Sequence, residues 1–129
     1  MVGILDVLIN MKIELDMVKE FHKKFSVLVS EHPSLIPKDR TQHRYRLMKE
    51  EVEEYLKGAK DGDIENIAKE LADVLYATYG TVLEHGLQDK MEEIFEEVHG
   101  SNMSKDYNEY KMVKGKSYFE PDIEQFFKK

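Results

Sequence analysis

The chain has 129 residues, no cysteine, and 26 acidic against 19 basic side chains, for a formal net charge of −7. That length predicts one domain, residues 1–129, with a core of its own. The missing cysteines exclude a disulfide framework, thiolate metal ligation and a thiol nucleophile. Residues 50–97 hold 15 acids against four lysines, an acidic middle that argues against the basic face a nucleic-acid polymer requires. No uncharged apolar run approaches the roughly 20 residues of a membrane span. Acids and lysines stand too early in the first dozen residues for a signal peptide, so the expectation is a soluble, cytoplasmic protein.

In chain order, Ile4, Leu8, Met11, Leu15, Val18, His22, Phe25 and Val29 alternate steps of four and three, the amphipathic signature of a first helix over Ile4–Val29. His22 lies in that stripe and reads as a satisfied core histidine. Glu31-His32-Pro33 and Pro37 break the helix. A second helix is expected to begin near Asp39 or Thr41, either serving as N-cap, and to end before Gly62. Arg40, Arg44 and Arg46 at its start read as solvated helix charges, with phosphate contact as the alternative. Asp63 is expected to cap a third helix that ends at His85, with Gly86 just beyond. Helices two and three then form an antiparallel hairpin. A fourth helix is predicted from Asp89 to His99, with Met91, Ile94, Phe95 and Val98 inward. Met112–Phe119 reads as a small hairpin or extended arm, and Pro121 as the opening of a short last helix to Phe127. The fold expected is all-α, a four-to-five-helix bundle with a short C-terminal arm.

Two pairs of acids carry the chemistry. Glu51 and Glu54 stand three apart on helix two, as do Glu70 and Asp73 on helix three, and residues three apart share a helix face. Asp73 is the only charge between Leu71 and Leu83. An apolar helix of that kind is expected to be buried, and a buried carboxylate must be paired, protonated or metal-bound. Folded face to face, Glu51, Glu54, Glu70 and Asp73 form an oxygen-ligand site for a hard cation, magnesium or manganese. Two or more such ions suit a triphosphate, with lysines of the late stretch (Lys105, Lys111, Lys114, Lys116) near its phosphates. Glu50, beside Glu51 and not needed as a ligand, is the candidate base or outer-shell group.

Glu50-Glu51-x-x-Glu54 followed by Glu70-x-x-Asp73 resembles the EExxE…ExxD signature of the all-α nucleoside triphosphate pyrophosphohydrolases. That superfamily includes MazG-like, dimeric dUTPase-like and phosphoribosyl-ATP pyrophosphohydrolase-like enzymes. Glu97-Val98-His99-Gly100-Ser101-Asn102-Met103-Ser104-Lys105 looks like a further block of the dUTPase/MazG-like branch, as do Gly115-Lys116 and Phe119-Glu120-Pro121-Asp122-Ile123. The likeness runs from about Phe21 to Ile123 and is weaker toward the phosphoribosyl-ATP branch. It implies magnesium-dependent conversion of a (deoxy)nucleoside triphosphate to monophosphate and pyrophosphate, a house-cleaning reaction of the nucleotide pool. It further implies metal ligation by Glu51, Glu54, Glu70 and Asp73, and nucleotide contacts from Asn102 and Lys105, with Lys105 on phosphate; Glu50 and Glu51 are the catalytic candidates, and Arg46, from the start of helix two, a candidate phosphate contact. Gly100 departs from the pattern, standing where a basic residue is expected. A homodimer or homotetramer is implied as well, and an apolar stripe on helix one fits that. The base is not legible, though Phe21, His22, Tyr76 and Tyr79 are candidate walls for it.

Two other classes compete. A di-iron carboxylate bundle uses Glu-x-x-His motifs, and Glu96-x-x-His99 supplies one but no second. A non-catalytic helical interaction module with an acidic, cation-binding face needs nothing more than the acids themselves.

Overall fold

The computed structural model describes residues 10–128. Among these stand four α-helices: α1 (Lys12–Lys24), α2 (Lys38–Lys60), α3 (Ile64–Glu84) and α4 (Met91–Met103). Two-residue strands β1 (Asp106–Tyr107) and β2 (Met112–Val113) and a 3-10 turn at Glu124–Phe126 follow. The class is all-α, as expected. The chain divides into two compact units, one of Met11–Gln88 and one that takes in the chain from Asp89 on.

In the first unit α2 and α3 form the central hairpin and α1 packs on α3. The pairing runs antiparallel along its whole length. Arg40 meets Glu84, Arg44 meets Ala77 and Thr81, and Gly58 lies against Asn66. The turn between the helices is built as expected: Asp63 accepts from the Asn66 N–H at 3.1 Å, satisfying one of the unpaired donors of a helix start. The N-cap of α2 differs. Pro37 occupies that position without a side-chain cap, and Asp39 falls inside the first turn, where its charge complements the helix dipole.

Three helices of this unit end in the same Schellman motif. Gly62 and Asp63 donate to Ala59 and Gly58, and Gly86 and Leu87 donate to Leu83 and Val82. Ser26 and Val27 likewise donate to Lys23 and His22. The residue past each C-cap is left-handed, with φ of 66° at Gly62, 67° at Gly86 and 56° at Ser26. So α1 stops at Lys24 rather than at Val29, although the apolar spacing continues. Its expected start at Ile4 lies outside the described residues. Leu15, Val18 and His22 are the buried part of its stripe, while Phe25 is exposed.

The connector from Val27 to Pro37 has no regular structure, yet it is tied to the end of α3. Ser30 N–H donates to the Leu83 carbonyl, Ser30 Oγ to the Glu84 carbonyl, and Ser34 N–H to the His85 carbonyl. Gln88 Nε2 donates back to the Ser30 carbonyl. A Cβ on Gly86 would meet the His32 carbonyl, so glycine is needed there for space as well as for φ.

Glu84 has a fully buried side chain held by two arginines of α2. Arg40 grips it in a fork, Nε at 2.9 Å and Nη2 at 2.7 Å, the bidentate geometry that makes such pairs strong. Arg44 Nη1 is 3.1 Å from Glu84 Oε2, while its Nε and Nη2 donate to Thr81 Oγ1 and the Ala77 carbonyl. Arg40 and Arg44 are therefore not solvated helix charges: they pin α2 to α3. Gly80 makes the room, since a Cβ there would run into Arg44 and His22.

In the second unit α4 runs through Gly100 to Met103, one turn beyond the expected end at His99. A helical glycine costs only about 1 kcal/mol against alanine, and Ser101 Oγ is anchored on the Phe119 carbonyl at 2.8 Å. Phe95 and Val98 are exposed rather than inward within this unit. β1 and β2 pair antiparallel, Asp106 opposite Val113, so the hairpin begins earlier than expected. Pro121 opens no α-helix, and the last turn is 3-10 only, with Asp122 Oδ1 accepting from the Gln125 N–H.

Removing one member of a buried ion pair leaves its partner's charge uncompensated, which costs about 3–5 kcal/mol. Glu84→Gln is accordingly expected to lower unfolding free energy by about that amount in urea titration followed by circular dichroism.

Candidate active site

The register set by the arginine pins brings Glu51 of α2 opposite Glu70 and Asp73 of α3. One carboxylate oxygen from each lies within 4.8 Å of the others. Glu70 is buried, at 5 % exposure, while Glu51 and Asp73 are half-buried. The acid embedded in the fold is thus Glu70 rather than Asp73. The run from Leu71 to Leu83 is not buried all round either, because Leu71, Leu75 and Tyr76 show an exposed face. Glu54, the fourth expected member, is exposed and outside the group of three. Glu50 and Arg46 are exposed on α2.

The electrostatics are those of crowded acids. Burial pushes the Glu51 carboxyl above its ordinary value, and the charges of Asp73 and Glu70 push it the same way. Lys69 Nζ bridges Asp73 Oδ2 at 2.9 Å and Glu70 Oε1 at 3.4 Å. Glu70 Oε2 is buried with no hydrogen-bond partner. A buried carboxylate oxygen without a partner costs free energy unless a proton or cation completes it. Three acid oxygens at this spacing, all hard donors, fit magnesium or manganese.

Beside the acids lies a cavity of about 250 Å³, lined by Phe21, His22, Arg44, Leu47, Glu51, Asp73, Tyr76 and Ala77. Phe21 and Tyr76 meet edge to face, with centroids 5.5 Å apart, a favoured aromatic geometry. A second cavity of about 420 Å³ shares Phe21, His22, Arg44 and Leu47 and reaches Arg40 and His43. His22 is the satisfied core histidine expected. Its Nδ1 is 3.0 Å from the Leu28 carbonyl, which only accepts, so Nδ1 carries the proton and Nε2 is the acceptor. Tyr79 is half-buried on α3, and burial raises its phenol above the ordinary value.

Asn102 and Lys105 belong to the second unit. Asn102 is exposed in the last turn of α4, and its carbonyl accepts from the Lys105 N–H at 3.2 Å. Gly100 stands at the departure from the expected pattern, where a Cβ would make an ordinary contact with the Phe119 ring. Sequence reasoning missed Lys69 and Glu84. The signals were present: a lysine adjoining the Glu70-x-x-Asp73 pair, and an acid directly after an apolar run, where only a partner elsewhere in the fold could pay for its burial.

A helical hairpin that gathers acids from both arms beside an apolar cavity defines a class, the all-α nucleoside triphosphate pyrophosphohydrolases. Within that class, residues 18–102 match the family model described as phosphoribosyl-ATP pyrophosphohydrolase, and the chain belongs to that family. This is the branch toward which the motifs had looked weaker. A comparison with curated proteins gives no significant match. The family's chemistry is pyrophosphohydrolysis of a nucleotide-type substrate, a hydrolase reaction on acid anhydrides, usually with a divalent metal. No helix among the described residues is long and apolar enough to cross a membrane.

Burial holds the His22 imidazole below its ordinary 6.5; the Leu28 carbonyl opposes that and the charge of Arg44 adds to it. The folded state therefore binds fewer protons at this residue than the unfolded chain. The stability from neutral His22 is complete above pH 6.5 and is lost as the pH falls from there to the lowered value. Between pH 7.5 and 5.5 the thermal midpoint of the wild type is expected to fall by a larger margin than that of His22→Asn, whose amide nitrogen stands where Nδ1 donates to Leu28.

Proposed function

We propose that the protein hydrolyses a (deoxy)nucleoside triphosphate to the monophosphate and pyrophosphate with magnesium, in the cytoplasmic nucleotide pool. The observation that carries this reading is the convergence of Glu51, Glu70 and Asp73, one buried oxygen of Glu70 lacking any partner, at a cavity walled by aromatics. Glu51, Glu70 and Asp73 hold the divalent cations, and Glu54, one turn along α2, is the fourth ligand. Ions held there supply Lewis-acid polarisation of the phosphate oxygens. Glu50 accepts the proton of the attacking water, whose oxygen bonds to phosphorus as the P–O–P bridge breaks. Arg46 contacts the nucleotide, and Phe21 and Tyr76 flank its base. Exposed Ile13 and Met17 on α1 support self-association as a homodimer or homotetramer. A second reading, phosphoribosyl-ATP as the substrate, is favoured by the family match itself.

The test is a panel of the common nucleoside triphosphates plus phosphoribosyl-ATP, with and without magnesium, resolving pyrophosphate from orthophosphate. Pyrophosphate release dependent on the metal is expected. Orthophosphate release, or no turnover of any compound, would remove the reading. Asp73→Asn and Glu54→Gln are expected to lower kcat by about 100-fold or more, as when charge stabilisation is removed from an active site, with helical content unchanged. Full activity in both variants would remove the ligand assignment.

A further inference from the structure

We infer that Lys69 is the exchangeable counter-ion of the acid cluster: its ammonium and a divalent cation are alternatives on the same oxygens, and the displaced lysine then serves the triphosphate. This rests on the metal-site reading above.

Lys69 touches two of the three acids that come together, Asp73 at 2.9 Å and Glu70 at 3.4 Å. The contact with Asp73 is an i,i+4 helix pair of the same order as Lys12–Asp16 and Lys49–Glu53. The contact with Glu70 is not, because neighbours in sequence do not face each other on a helix. The ammonium leans across to Glu70 because crowded carboxylates draw positive charge. Asp73 first, and then Glu70, hold the Lys69 ammonium above its ordinary pKa.

A doubly charged ion on those oxygens repels an ammonium held to the same carboxylates. The lysine must leave, and it can. Its side chain is 68 % exposed, against 6 % for Glu70, so the long stem has solvent-facing rotamers open to it while the acids stay fixed. Once displaced, the ammonium remains tethered within a side chain's length of the cluster, where the phosphates of a bound triphosphate collect. Lysine is suited to that task as a mobile point charge rather than a rigid fork.

The signature is a pair of opposite effects. Lys69→Met keeps the stem and removes the charge. Titrated with manganese alone, the free ion followed by electron paramagnetic resonance, it is expected to bind about tenfold tighter than wild type, about 1.4 kcal/mol. Its KM for a triphosphate, measured at saturating metal, is expected to rise several-fold. Lys69→Arg, which retains the charge, is expected to follow the wild type in the manganese titration. Equal or weaker manganese binding by Lys69→Met overturns the exchange, and an unchanged KM overturns the second role. Manganese bound by neither protein removes the metal site itself, and the lysine's role with it.

Discussion

A carboxylate with no exposed surface is costly unless its charge is met, and Glu84 is met twice, by Arg40 and Arg44 from the neighbouring helix. That requirement fixes the longitudinal register of α2 against α3. A slip of one helical turn, about 5.4 Å, would part the fork from its acid and leave three charges stranded. With the register fixed at this end, two turns further along α2 Glu51 has no choice of neighbour: it arrives opposite Asp73 and Glu70. The pin is structural and the acid cluster chemical, but one geometry serves both.

The hairpin is polarised by this arrangement. Basic side chains with a buried acid occupy the end near Glu84, and crowded acids with the exposed Lys69 occupy the stretch around Glu70. Between them run two cavities that share Phe21, His22, Arg44 and Leu47. A nucleotide-type substrate suits such a gradient, since its phosphates seek positive charge and its base an aromatic surface. The helix α1 matters here mainly as the supplier of Phe21 and His22. Its early stop at Ser26 turns the chain so that the Leu28 carbonyl meets His22 and fixes its tautomer.

Much of this was legible in the residues. The i,i+3 spacing of the acids, the Gly62-Asp63 turn and Gly86 after His85 each have a local cause, and local causes can be read along a line. The helical period also placed Leu15, Val18 and His22 on one buried stripe. What escaped depends on packing between elements. Periodicity cannot say which of Glu70 and Asp73 faces the neighbouring helix, and the choice fell on Glu70. The pairing of Arg40 with Glu84 joins positions 44 apart, so neither residue announces the other. The end of α1 escaped for a different reason: serine holds the left-handed position where glycine is the usual marker. Likewise α4 passes through Gly100 because Ser101 is anchored on the arm, a contact no local rule contains.

The irregular connector from Val27 to Pro37 carries a consequence of its own. Its polar groups are spent on the final turn of α3, around Leu83, Glu84 and His85, so it behaves as a brace rather than as slack. Surface loops are ordinarily where a chain tolerates added or deleted residues. Here a change of length would tug on the backbone that carries Glu84, and the disturbance would be felt at carboxylates far down the hairpin. The stretch from Ser30 to Ser34, bonded to the end of α3, is therefore a poorer place for a change of length than a free surface loop.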